Sequence, residues 1–182
     1  MRRIWMAYVV TGVTLSVMAG AQQPANSASP SAADSLSKEV QTNYERIKAN
    51  VIKAADKMPA EDYSFKPTAD IRTFARVVNH VTEAQDRICG AINQTKQSAS
   101  TVPAETADKA AIVDALKSSF AECDKAYASL TDANMREVID AGPFKRSRLG
   151  LLWGNVAHDN EQYATLAIYM RLKGQVPPSS EK

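Results

Sequence analysis

Histidine and cysteine are scarce in this chain: two of each in 182 residues. Glycine is sparse as well, at seven, and no run of it forms a phosphate-cradling loop. There is no internal repeat and no strand-like alternation long enough to support a sheet. No serine or lysine stands matched to a base in a nucleophile pattern. Charge of one sign is also lacking, since 22 Lys and Arg face 20 Asp and Glu, and the excess of +2 is accounted for by Arg2 and Arg3. The remaining basic residues are scattered, apart from Lys145-Arg146-Ser147-Arg148, which reads as a solvated helix start. Nucleic acid is therefore not expected as a partner, because binding its phosphates needs a concentrated positive surface.

One long apolar run exists, at the N terminus. Arg2 and Arg3, an apolar stretch over residues 4–18 and the small residues Ala19-Gly20-Ala21 follow the order of a secretory signal. An uncleaved anchor is the alternative, but the run is short of the roughly 20 residues a span needs. It is also diluted by Thr11, Gly12, Thr14 and Ser16. Residues 1–21 are thus expected to be removed, leaving a periplasmic or secreted protein that begins at Gln22 and has no membrane attachment. No cysteine at the cut suggests a lipid anchor. Residues 22–34, rich in Ala, Ser, Gln and Pro without charge until Asp34, read as a flexible linker. Residues 35–182 suit one domain with one core.

Apolar residues at steps of three and four mark four helices in that domain. Leu36, Val40, Tyr44, Ile47, Val51, Ala55 and Met58 share one face, after a cap at Asp34 or Ser35, until Pro59 stops the run. Residues 59–67 cannot continue the helix between two prolines, so Tyr63 and Phe65 are expected to pack on the end of a bundle. Thr73 caps a second helix striped by Phe74, Val77, Val78, Val81, Ala84, Ile88 and Ile92, with His80 at its interior face or margin. A polar connection over residues 95–106 leads to a third, striped by Val113, Leu116, Phe120, Cys123, Tyr127 and Leu130. Residues 131–144 read as an irregular segment with a turn at Gly142-Pro143. Ser147 then caps a fourth helix over residues 148–173, striped by Leu149, Leu152, Val156, Tyr163, Leu166 and Met170 and closed by Gly174. The expected fold class is all-α, a four-helix bundle.

Several of these segments carry a resemblance. Pro59-Ala60-Glu61-Asp62-Tyr63-Ser64-Phe65-Lys66-Pro67, Arg72-Thr73-Phe74, His80, His158-Asp159-Asn160-Glu161-Gln162-Tyr163, Tyr169-Met170-Arg171-Leu172-Lys173-Gly174 and Pro177-Pro178 together resemble the DinB/YfiT-like superfamily. The resemblance covers residues 35–180. It implies a crossover connection between helices two and three, a tendency to form homodimers, and a divalent metal held by three histidines. One comes from helix two and two from helix four, at i and i+4. Carried onto this chain, those positions are His80, His158 and Gln162. The third is a departure, because a neutral amide oxygen is a poorer ligand than imidazole for Zn, Ni or Fe. A divalent transition metal is accordingly expected to bind weakly or not at all. Gln162 could instead hydrogen-bond a histidine, and Glu83 could stand behind His80 or be a surface charge. Asp159 and Glu161 point away from Gln162 around the helix axis and are not obvious replacements.

Two functions remain in view. One is a binding or interaction module with a decayed metal site and a small-molecule ligand of unspecified kind. The other is a metal-dependent enzyme, S-transferase-like or hydrolase-like as the resemblance implies, working through His80 and His158. Cys89 and Cys123 are expected to form a disulfide, since both lie on buried stripes of an exported chain. Each stands near the C-terminal end of its helix, so they can be level only if helices two and three run parallel, which requires the crossover. Two unpaired core cysteines are the alternative.

Overall fold

The computed structural model describes residues 35–95 and 102–182. The expected signal and linker, residues 1–34, lie outside the described residues, as does part of the connection between the second and third helices. Four α-helices make up the described fold: α1 (Leu36–Lys57), α2 (Phe74–Asn93), α3 (Lys109–Ala128) and α4 (Arg148–Leu172). Their starts obey the capping chemistry legible in the sequence. Ser35, Thr73 and Ser147 each accept a hydrogen bond from the amide three residues on, and Asp108 does the same for α3. Pro59 follows the end of α1, and Gly174, with φ +72°, follows α4 in the left-handed region that glycine tolerates best.

Direction follows from cross-helix bonds. Thr73 and Asn79 at the start of α2 reach Glu105 and Pro103 just before α3, while Asn93 at its end reaches Glu122 near the end of α3. These two helices therefore run parallel, as the expected crossover requires. α3 is antiparallel to α1, with Tyr44 bonding Asp124 at one end and Lys109 bonding the Met58 carbonyl at the other. α4 is antiparallel to α2, with Gln85 on Asp159 in the middle and Tyr169 on the Arg72 carbonyl at the end. The stripes meet in one core, in which Tyr44 of α1 stacks on Tyr127 of α3 with ring centroids 3.7 Å apart.

Cys89 and Cys123 are joined by a disulfide between α2 and α3, with Cα atoms 5.0 Å apart. The loop after α1 packs its rings as its composition suggests: Tyr63 lies edge-on to Phe74 and donates to the Ala55 carbonyl, and Phe65 lies edge-on to Tyr169.

One element differs from expectation. Residues expected to be irregular before α4 form an antiparallel hairpin, β1 (Val138–Ala141) with β2 (Phe144–Ser147), turned at Gly142-Pro143. Gly142 takes φ +73°, which the turn requires. Each strand has only four residues, too few for alternation to stand out from chance. The hairpin feeds directly into α4 through Ser147 and places Arg146 over that helix.

Candidate functional site: a histidine pair on a buried polar layer

His80 of α2 and His158 of α4 meet across the antiparallel pair. Their Nε2 atoms are 3.2 Å apart and their rings are tilted at 69°. Both side chains are 24% exposed, so the pair sits at the bundle margin within reach of solvent. Behind each ring stands a carboxylate. His80 Nδ1 is 3.4 Å from Glu83 Oε2, and His158 Nδ1 is 3.4 Å from Asp159 Oδ1. Glu83 is in turn gripped by Arg76 through two bonds of 3.1 and 3.0 Å. Imidazoles whose Nδ1 faces a carboxylate are held in the tautomer that leaves Nε2 as a bare lone pair.

The two Nε2 atoms face one another at hydrogen-bond distance, so one ring donates to the other when its Nε2 carries the proton, and when neither does an electrophile between them would take both lone pairs. The spacing fits one, because a tetrahedral ion with bonds of about 2.0 to 2.1 Å places two ligand nitrogens about 3.3 Å apart. Burial, and after it the charge of Arg72, holds the His80 imidazole below its ordinary 6.5 against the pull of Glu83. Free His80 is therefore biased toward the neutral form that binds metal. For Glu83, burial pushes the carboxyl upward, but Arg76 outweighs it and the carboxyl stays below its ordinary range.

Gln162 occupies the position one turn beyond His158. It is half-buried and makes no side-chain hydrogen bond among the described residues. No group of three or more His, Cys, Asp or Glu able to hold a metal occurs among the described residues. The donors brought together at the bundle margin are thus the two imidazoles.

Inward of the pair runs a polar layer that the sequence did not announce. Asp159 is 0% exposed, and its Oδ2 accepts from Gln85 Nε2 at 2.7 Å. Gln85 Oε1 accepts from Asn155 Nδ2 at 2.8 Å, and the same Nδ2 lies 3.3 Å from the Tyr127 hydroxyl, which donates to the Leu152 carbonyl. Burial raises the Asp159 carboxyl above its ordinary range, opposed by its contacts with His158 and Gln85. A signal for this layer did exist. The α4 stripe breaks between Val156 and Tyr163, and Asp159 stands in the gap, as Gln85 stands between Val81 and Ile88 on α2.

A four-helix bundle with up-down-down-up helices and a histidine pair between α2 and α4 is the class of protein this defines. The family model of the DinB superfamily matches residues 43–166, and the chain belongs to that superfamily. Solved structures agree on the fold. A DinB-like protein from Bacillus cereus ATCC 10987 is 19% identical, with 78% of this chain and 95% of that one covered at a TM-score of 0.62. A DinB-like protein from Bacillus subtilis is 18% identical, with 76% and 93% covered at 0.61. A conserved protein from Enterococcus faecalis is 15% identical, with 76% and 96% covered at 0.60. No curated protein matches the chain.

Proposed function

We propose that this protein is an exported DinB-like bundle acting as a binding or interaction module, with a divalent-metal site reduced to His80, His158 and Gln162. The observation that carries this is the pair of Nε2 atoms 3.2 Å apart with a carboxylate behind each ring, in a chain that has glutamine rather than histidine at position 162. Zn, Ni or Fe bound there would be held well below the affinity of a three-histidine site. Export is supported by the order of residues 1–21, by the disulfide, and by Cys89 and Cys123 both lying in the core. A homodimer belongs to the same proposal, and sedimentation velocity measures it.

The alternative is a metal-dependent enzyme of S-transferase-like or hydrolase-like kind. What favours it is the paired carboxylates, because support behind both ligands is costly to keep at a site with no use. A divalent ion at the pair would lower the pKa of a thiol or water brought to it. The residues around it would orient the imidazoles and screen the pair on its inner side.

Titration with Zn²⁺ and Ni²⁺, following the melting temperature, separates these possibilities. Stabilisation grows as RT ln(1 + [metal]/Kd), about 2.7 kcal/mol at a hundredfold excess over Kd. The wild type is expected to respond only at high metal, and Gln162→His at far lower concentrations. An equal response from both would show that glutamine is no defect and favour the enzyme. No response from either would remove the metal site altogether.

A further inference from the structure

α4 is apolar on two sides. One side carries Leu152, Val156, Tyr163, Leu166 and Met170 into the core. The other presents a row in steps of four on either side of Asn160 and Glu161: Leu149, Trp153 and Ala157 before them, Ala164, Ile168 and Leu172 after. Ala157 and Ala164 are exposed, and Trp153, Ile168 and Leu172 are each more than half exposed. A helix that is apolar all round is normally buried all round, yet among the described residues this row is left open to solvent. At its N-terminal end Leu149 and Trp153 wall a groove of about 380 Å³ together with Leu36 and Val40 of α1. At its C-terminal end Ile168 and Leu172 project outward.

We propose that this face of α4 is a two-fold interface with a second copy of the chain, the two helices crossing antiparallel about the point between Asn160 and Glu161. The order of residues carries it. Large, large, small, polar, polar, small, large, large reads the same from either end, as an isologous contact requires of a helix that meets itself. In that register Ala157 faces Ala164 of the second copy, Trp153 faces Ile168 and Leu149 faces Leu172, so the projecting pair of each copy meets the groove of the other. A row in steps of four packs on its like at a crossing of about 50°, with axes about 8 to 10 Å apart, and the alanines stand where the approach is closest. The polar centre is satisfied reciprocally, because Asn160 Nδ2 gives one hydrogen to the Val156 carbonyl and keeps a second for Glu161 of the other copy. Charge agrees at the rim. The register sets Arg171 over Gly150 and beside Glu39, both of which line the groove, and on its own chain Arg171 bonds the neutral Ser180 hydroxyl. The inference deepens the homodimer of the proposed reading by giving it a surface, and it uses no metal, so the interface and the metal site can fail separately.

Sedimentation velocity of the purified protein in EDTA provides the first test, and the wild type is expected to be mainly dimeric at about 100 µM. Ile168→Glu should weaken association by at least about a hundredfold, because the two-fold axis buries the new charge twice. Ile168 is 56% exposed in the single chain, so the substitution spares the core, and circular dichroism checks that the variant is folded. A cross-link fixes the register. Ala157→Cys mixed with Ala164→Cys is expected to give a disulfide-linked dimer under mild oxidation. Neither variant alone should do so, since each cysteine then lies about two helical turns from its counterpart. A wild type that is monomeric at about 100 µM would overturn the proposal and the homodimer with it, while leaving the metal titration to stand. A monomer that binds lipid vesicles would overturn it in the same way and assign the face to a membrane surface. A dimer unchanged by Ile168→Glu, or one cross-linked by Ala157→Cys alone and not by the mixture, would overturn this surface and leave a homodimer built elsewhere.

Discussion

Two imidazole nitrogens 3.2 Å apart cannot both be protonated without strong repulsion, and they cannot both be bare without a weaker one. His80 carries the consequence for pH. Its folded pKa is lowered by burial and by Arg72, below the 6.5 it has in the unfolded chain. As pH falls, the unfolded chain takes up this proton first, and stability falls with it. The contribution is therefore full above about pH 6.5 and is lost as pH drops through the folded value. Asp159 has the opposite sign, because its raised pKa lets the folded state hold a proton earlier, in a window above its ordinary 3.8. Comparing wild type with His80→Gln in EDTA cancels the Asp159 part. The melting temperature of wild type is expected to fall more steeply between pH 7 and about pH 5 than that of the variant. Parallel curves would mean that His80 titrates alike in the folded and unfolded states.

At the scale of elements, helices and caps were legible because period and chemistry repeat over 20 or more residues in each helix. Thr73 and Ser147 could be named before any coordinates, and Ser35 as one of two candidates with Asp34, since each precedes an apolar stripe with a side-chain acceptor. The hairpin was not legible beyond its Gly142-Pro143 turn, because what makes it a sheet is pairing between Val138 and Ser147, and local composition does not encode that partner. His80 and His158 were found through the resemblance, whereas Gln85, Asn155 and Asp159 were missed because polar residues on a stripe look like its edge.

The parallel pairing of α2 and α3 carries an element-level prediction. The cross-link between Cys89 and Cys123 spans a separation of 34 residues. Restricting such a loop in the unfolded chain is worth about 3 to 4 kcal/mol. Cys89→Ala with Cys123→Ala is therefore expected to melt about 10 °C lower at this domain size. Unreduced wild type should show no free thiol under denaturation. Ser147→Ala tests the hairpin-to-helix joint in the same assay. Its Oγ accepts from the Gly150 amide at 3.1 Å, and loss of such a cap costs about 1 kcal/mol.

Across the whole molecule, the layer formed by Gln85, Tyr127, Asn155 and Asp159 ties α2, α3 and α4 together, and Tyr44 of α1 stacks on Tyr127 above it. Apolar stripes alone tolerate sliding by a turn, since leucine against leucine is much the same one step along. A buried carboxylate that must find one amide is not tolerant, because an unpaired partner there costs more than the bond contributes. Gln85→Leu removes the donor to Asp159 Oδ2 and the acceptor of Asn155 Nδ2 at once. It is expected to destabilise by about 3 kcal/mol, a fall of roughly 10 °C, most of it the cost of groups left unsatisfied. Replacing the layer as a whole, Gln85→Leu with Asn155→Leu and Asp159→Leu, should return much of that loss, because no orphan remains. The triple variant would also lose the carboxylate behind His158, so its response to metal should weaken while its melting temperature recovers. If instead the triple variant is the least stable of the set, the layer contributes through its bonds themselves, and its role in fixing the register of the helices is secondary.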